Sequence, residues 1–153
     1  MNIYRTELNK AGLNILVRER TVRDVADTLA NAEEIADVLN KAFKMNRLAE
    51  EKLCAVAFDS KLHPIALFEI GHGTHDSSLF GVREILVRMC ICGAVSFVVA
   101  HNHPSGDPTP SKQDYEATER LKKAADIIGI QLLDHIVIGD WVYGMRERSN
   151  IWE

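Results

Sequence analysis

Hydrophobic positions along the chain follow two different spacings, and the first of these predicts β-strands. Strands are predicted where apolar residues occupy every second position or form short unbroken runs. The predicted strands are residues 4–8, 14–19, 52–58, 64–70, 94–100, 130–133, 136–138 and 142–145. The run at 94–100 is apolar throughout, which is typical of a strand buried on both faces.

The second spacing, with apolar residues three and four positions apart, predicts helices. One helix is predicted to begin at Thr21, with Val22, Val25, Ala26 and Leu29 on one face. Three more are predicted at residues 32–44, 82–92 and 112–128. Because helices and strands alternate, we expect an α/β fold, layered α/β/α around a mixed β-sheet.

Composition is typical of a globular domain and adds a few exclusions. The 153 residues are 46% hydrophobic and 26% charged, with a net charge of −4 that gives no reason to expect direct DNA binding. The longest apolar run is too short to span a bilayer, and residues 1–14 lack the apolar segment of a signal peptide. Three cysteines do not form a disulfide framework. We therefore expect a cytoplasmic protein with no membrane partner.

The residues after the apolar strand at 94–100 carry most of the functional information. His101 and His103 are two positions apart, so on an extended backbone both imidazoles point to the same side. Asp114 follows in the first turn of the last predicted helix. Two imidazoles and a carboxylate, with a fourth position left for water, are what a catalytic zinc site requires.

Simpler interpretations of these and neighbouring residues stay open. Ser111 and Asp114 have the spacing of a helix capping box, and paired histidines at a strand end can be hydrogen-bonded surface groups. His135 is expected to make a buried hydrogen bond or to support a metal ligand. Cys90 and Cys92 are expected to be packed small hydrophobic residues rather than ligands.

The order His101-x-His103-Pro104, then Ser111 and Asp114, resembles the motif of the JAMM metalloproteases, the JAB/MPN family, at each specified position. The wider sequence resembles the RadC-like branch of that family at residues 83–85, 101–111 and 133–140. The resemblance implies a JAB/MPN (cytidine-deaminase-like) fold. It also implies a RadC-like JAB/MPN domain at residues 46–153, with residues 1–45 as N-terminal strands and helices packing on it as one unit.

The family resemblance implies a role for each matching residue. His101, His103 and Asp114 would bind one zinc ion per chain, with a water in the fourth place. Ser111 would hydrogen-bond the oxyanion of the tetrahedral intermediate. Glu51, directly before the strand predicted at 52–58, best matches the family's glutamate, which would be the general base.

Other acids remain alternatives for that base. Glu50 differs from Glu51 by a shift of one residue, and strand register is weakly set by sequence. Glu69 and Glu84 are further candidates. Glu84 also falls in the first turn of a predicted helix, where the helix dipole favours an acidic residue.

The resemblance implies a zinc-dependent hydrolase of the metalloprotease or isopeptidase type, acting on a peptide or isopeptide-linked protein. The alternative is a DNA-repair-associated or other accessory protein with a structural zinc site and no protease activity. A zinc nucleobase deaminase is excluded, because residue 102 is Asn rather than Glu and no Cys-x-x-Cys occurs. A peptide groove is hypothesised at the loop of residues 71–81, where a substrate would add as a strand.

Overall fold

Seven strands form one mixed sheet in the computed structural model, which describes residues 1–73 and 81–153. In chain order the strands are β1 (Asn2–Leu8), β2 (Asn14–Thr21), β3 (Glu51–Phe58), β4 (Pro64–Gly73), β5 (Ser96–Asn102), β6 (Gln131–Ile138) and β7 (Val142–Gly144). The α-helices of the described residues are α1 (Ala32–Phe43), α2 (Val82–Cys92) and α3 (Lys112–Ile128). Short 3-10 turns lie at Met45–Arg47 and Asn150–Trp152.

The sheet order is β2-β1-β4-β3-β5-β6-β7, and both strand directions occur in it. Strand β3 pairs antiparallel with β4 and β5, whereas β5 pairs parallel with β6. Strand β1 joins β4 in parallel through the pair Ile3–Leu67, and β7 is antiparallel to β6 at the other edge. All seven residues of β5 are buried, which confirms the prediction of a strand covered on both faces.

Helices cover the two faces of the sheet and complete three layers. On one face, the apolar side of α1 packs in one cluster with β3, β5 and β6 through residues such as Leu39, Val56 and Val98. On the other face, α2 and α3 pack through Met89 and Leu121 on a second cluster. The predicted α/β/α layering with a mixed sheet is therefore confirmed. The predicted division between residues 45 and 46 stays a prediction.

Most predicted elements lie where the hydrophobic pattern puts them, although the bounds of most strands differ from the prediction by one to three residues. Helices α2 and α3 have the predicted bounds, and α3 ends on Gly129 in the left-handed conformation. Strand β5 begins two residues later than predicted, at Ser96, and continues two residues further, so it includes His101 and Asn102. The strands predicted at 130–133 and 136–138 are one continuous strand, β6, because its pairing with β5 runs through Asp134 and His135.

The helix predicted to begin at Thr21 is wrong. Residues 22–31 contain no helix, and Asp24 has a left-handed φ of 55°. Helix α1 instead begins after Asn31, whose side chain accepts a hydrogen bond from the backbone of Glu34. Val22 and Leu29 are buried without a helix, because both side chains join the core cluster on the α1 side. The backbone of Val22 extends the pairing at the sheet edge by donating to the carbonyl of Met1.

The proposed peptide groove can be located only at its ends. Strand β4 continues to Gly73, so Gly71 belongs to the sheet rather than to a loop. Residues 74–80, the rest of that segment, lie outside the described residues. Among the helices of the described ranges, none is long and apolar enough to cross a membrane.

Candidate metal centre

Three sequence-predicted ligands meet where β5 ends and α3 begins. His101 is the second-last residue of the buried strand β5, where it pairs with Leu53 of β3 and Val137 of β6. His103 follows just beyond the strand, and its backbone N–H donates to the carbonyl of Ile138 at 2.8 Å. Asp114 is the third residue of α3. The three side chains therefore come from a strand end, a loop and a helix start.

The distances between these side chains suit a single metal ion. His101 Nε2 and His103 Nε2 are 3.0 Å apart, and they lie 3.4 Å and 3.7 Å from the two carboxylate oxygens of Asp114. One ligand atom from each residue lies within 4.8 Å of the others. A tetrahedral ion with ligand bonds of about 2.0–2.1 Å would have ligand atoms roughly 3.3 Å apart. The group could therefore hold a metal.

Both histidines use their second ring nitrogen for a protein partner, which leaves Nε2 toward the centre. His103 Nδ1 donates to the carbonyl of Asp107 at 2.8 Å. His101 Nδ1 lies 2.8 Å from Nε2 of His135, a fully buried histidine on β6. Partners of this kind are usual for metal-binding histidines, because they fix the ring orientation. The predicted buried hydrogen bond of His135 is confirmed.

Burial and neighbouring charges favour the metal-binding protonation state at two of the three candidate ligands, a neutral imidazole at His101 and a carboxylate at Asp114. Burial lowers the pKa of His101 to about 4. Burial opposes ionisation of Asp114, but His103, His101 and Ser111 beside it hold the pKa of the carboxyl below its usual range. The Asp114 carboxylate raises the pKa of His103, and the charge of Glu51 acts in the same direction. A metal takes only deprotonated ligands, so His101 and Asp114 are ready for it near neutral pH.

Ser111 and Asp114 form the capping box that their spacing predicts. The Ser111 backbone N–H and hydroxyl each donate to Asp114 Oδ2 at 2.7 Å, and the Asp114 N–H donates to the Ser111 hydroxyl oxygen at 3.2 Å. The cap therefore uses Oδ2, whereas Oδ1 is the oxygen that faces His101. The capping and metal interpretations are compatible, because one carboxylate serves both.

Strand register places Glu51 on the same side of the sheet as the histidines. Leu53 pairs directly with His101, and Glu51 lies two residues before Leu53 on β3, so its side chain is on the face of the sheet that carries His101. The effect of the Glu51 charge on the pKa of His103 agrees with this placement. Glu51 is half-buried at the start of β3.

Asn102, between the two histidines, is a functional-site residue that the sequence did not single out. Its side-chain oxygen accepts from the backbone N–H of Lys52 at 2.8 Å, and its amide donates to the carbonyl of Glu50 at 3.1 Å. The buried Asn102 side chain thus holds the chain on both sides of Glu51. The only sequence signal is its place between His101 and His103.

The structure does not bring the alternative acids into the group. Glu69 is on the strand position opposite Cys54, on the α1 side of the sheet, and forms an ion pair with Lys52 at 2.9 Å. Glu84 is exposed in the first turn of α2. Glu50 lines a cavity with Lys52 and His72. Glu51 is therefore the acid whose position agrees best with the prediction.

The two helical cysteines differ in burial. Cys92 is half-buried and its thiol donates to the carbonyl of Met89 at 3.4 Å. Cys90 is exposed, so the prediction that both are packed is wrong for this residue, because it lies off the face of α2 on which Ile85 and Met89 are buried. All three cysteines of the chain are free thiols.

The layered fold and the His-His-Asp group define a JAB-type α/β domain with a candidate metal centre. The RadC-like JAB domain family matches residues 29–150, well over half of the chain. The chain belongs to this family. Membership is consistent with a metal-dependent hydrolase.

Curated relatives share the family but their names state no activity. A UPF0758 protein of Clostridium botulinum (strain Loch Maree / Type A3) is 42% identical over 117 residues, which cover 75% of this chain and 51% of that protein. A UPF0758 protein of Clostridium beijerinckii (strain ATCC 51743 / NCIMB 8052) is 40% identical over 109 residues, covering 71% and 48%. The chain thus spans about half the length of the curated relatives it matches.

Proposed function

We propose that this chain is a zinc-dependent hydrolase that cleaves a peptide or isopeptide bond. The observation that supports it is the meeting of His101, His103 and Asp114 with Glu51 on the same side of the sheet. We assign the three to one zinc ion per chain, with water in the fourth place. Two imidazole nitrogens and one carboxylate are a usual donor set for catalytic zinc, and oxygen-preferring ions such as Mg²⁺ suit it less.

A bound zinc ion would polarise the scissile carbonyl and lower the pKa of the attacking water toward about 7. Glu51 would take the proton from that water and hand it to the leaving amine. Asn102 would keep the Glu51 backbone fixed through its bonds on either side. The exposed Ser111 hydroxyl, now donating to Asp114, would turn to donate to the developing oxyanion.

The substrate and the setting belong to the proposal as well. We propose a peptide or isopeptide-linked protein as substrate, in the cytoplasm, with no membrane partner. The net charge of −4 supports a role without direct DNA contact. The three free thiols support a reducing compartment.

Substitution of Glu51 tests the proposal, with Glu50 as the matched control. Zinc-loaded wild type, Glu51→Gln and Glu50→Gln would be assayed on linear peptides and on lysine-linked isopeptides. We expect Glu51→Gln to retain zinc and to lose about 10²- to 10⁴-fold in rate, because a general base contributes about that much. Glu50→Gln should stay near wild type, because Glu50 is outside the group.

Two results would contradict this account in different ways. Equal loss in both variants, or loss only in Glu50→Gln, would remove Glu51 as the base. Zinc-loaded wild type that hydrolyses neither class of substrate would favour the alternative of an accessory protein with a structural zinc site.

A further inference from the structure

A buried chain of hydrogen bonds connects two of the candidate ligands behind the metal centre. His101 Nδ1 is 2.8 Å from His135 Nε2, and His135 Nδ1 is 2.6 Å from the hydroxyl of Thr118. That hydroxyl donates to the backbone carbonyl of Asp114 at 2.6 Å. The chain of contacts therefore starts at a ligand on β5, crosses β6 and ends on the ligand residue of α3.

The last acceptor fixes the direction of each proton in this chain. A carbonyl oxygen only accepts, so the single hydroxyl proton of Thr118 points to Asp114. The Thr118 oxygen must then accept from His135, which places a proton on His135 Nδ1. A neutral His135 has an unprotonated Nε2, which accepts from Nδ1–H of His101. His101 Nε2 is thereby left without a proton and faces His103.

Burial keeps this order from being rearranged by solvent. His101 is 6% exposed, and Thr118 and His135 are 0% exposed. A charged ring taken out of water is costly, so this full burial favours a neutral His135. Among the described residues, further possible acceptors for the Thr118 hydroxyl are His135 Nδ1 at 2.6 Å and Met145 Sδ at 3.7 Å. A proton directed to His135 Nδ1 would leave the Thr118 oxygen 2.6 Å from the Asp114 carbonyl oxygen with no proton between them, which is repulsive. A proton directed to the Met145 sulfur would still leave the Thr118 oxygen as the acceptor for His135.

We propose that Thr118 and His135 are positioning residues that fix the tautomer of His101, leaving its Nε2 free for a metal. The inference rests on the proposed function only in treating the His-His-Asp group as a metal centre. Helix propensity does not explain a threonine at position 118, because β-branched residues are poorer helix formers than alanine. Shape does not explain it either, because a valine would fill the same space. Its hydroxyl does what valine cannot: it accepts from His135.

The tautomers can be read directly in the metal-free wild-type protein. Long-range ¹H–¹⁵N NMR spectra of the ¹⁵N-labelled chain distinguish Nδ1–H from Nε2–H rings. We expect both His101 and His135 in the Nδ1–H form. The Nε2–H form at His101 would overturn the inference. This measurement needs no variant and no substrate.

Zinc affinity tests the consequence, with Thr118→Ser as the matched control for Thr118→Val. Both variants lose one group, but only serine keeps the hydroxyl. Titration of zinc alone against a competing chelator should show affinity reduced about tenfold or more in Thr118→Val, since such supporting partners contribute 10- to 100-fold. Thr118→Ser should remain close to wild type. Equal affinities in both variants would overturn the inference.

Failure of this inference can be told apart from failure of the proposed function. If wild type hydrolyses amide bonds and Thr118→Val binds zinc as tightly as Thr118→Ser, the positioning role fails and the function stands. If wild type binds zinc with the expected tautomers and the expected loss in Thr118→Val, but hydrolyses nothing, the function fails and the positioning role stands. Wild type that binds no zinc overturns both.

Discussion

At the scale of single residues, each candidate ligand is held by at least one further contact. Asp114 has one oxygen in the capping box with Ser111 and the other toward His101. His103 is held by the Asp107 carbonyl and His101 by His135. Such contacts restrict side-chain rotation before a metal binds, so less conformational entropy is lost on binding. The arrangement of the three candidate ligands is therefore set by contacts within the folded chain.

The two roles of Ser111 can be separated with Ser111→Asn and Ser111→Ala. Asparagine caps helices about as well as serine, so Ser111→Asn should leave the free energy of unfolding nearly unchanged, whereas Ser111→Ala should cost about 1 kcal/mol. If the hydroxyl also donates to an oxyanion, hydrolysis by both zinc-loaded variants should fall about 10²-fold. Denaturant unfolding and rate measurements on the same samples check this. Full activity in Ser111→Asn would leave serine with the capping role alone.

At the scale of elements, the loop between β5 and α3 is fixed against the turn between β6 and β7. The His103 N–H donates to Ile138, and the Asp140 N–H donates to the carbonyl of Gly106 at 2.7 Å. A Cβ added at Gly139 would lie 2.3 Å from that same Gly106 carbonyl oxygen. The loop that carries His103 is thus in tight contact with backbone on its other side.

Gly139→Ala should therefore disturb the metal centre without touching a ligand. The added methyl group must push the 103–107 loop away, at a cost of about 1–3 kcal/mol in the free energy of unfolding. We expect zinc affinity to fall together with stability. Gly12→Ala is the control: Gly12 has a left-handed φ of 76° and open space around it, far from the loop, so stability should fall without loss of affinity. Unchanged zinc affinity in Gly139→Ala would contradict the role given to this contact.

The elements themselves were predictable where local signals agree. Helix α3 has its apolar period, a capping box and a terminal glycine, and its bounds are as predicted. The predicted helix at Thr21 failed because an irregular segment buries Val22 and Leu29 in the core cluster on the α1 side, so their spacing reflects tertiary packing rather than a helix. The capping signal lay at Asn31 instead. Strand β6 looked like two strands because Asp134 and His135 interrupt its apolar run.

At the scale of the whole molecule, the candidate site combines nearby and distant parts of the chain. The three candidate ligands lie within fourteen positions and follow from one segment of sequence. Glu51 and His135 are far from these ligands in sequence and reach the site through sheet register, whereas Thr118 follows Asp114 by one turn of α3. Sequence reasoning could not choose firmly between Glu50 and Glu51, because a shift of one residue moves a side chain to the other face.

The most direct test of the central claim is the zinc content of purified protein, measured for wild type, Asp114→Asn and Asp126→Asn in parallel. Asp126→Asn makes the same change on the same helix, at an exposed residue paired with Lys122. We predict about one zinc per chain in wild type and in Asp126→Asn, with marked loss in Asp114→Asn. Equal zinc in all three proteins, or none in any after reconstitution, would contradict the metal centre.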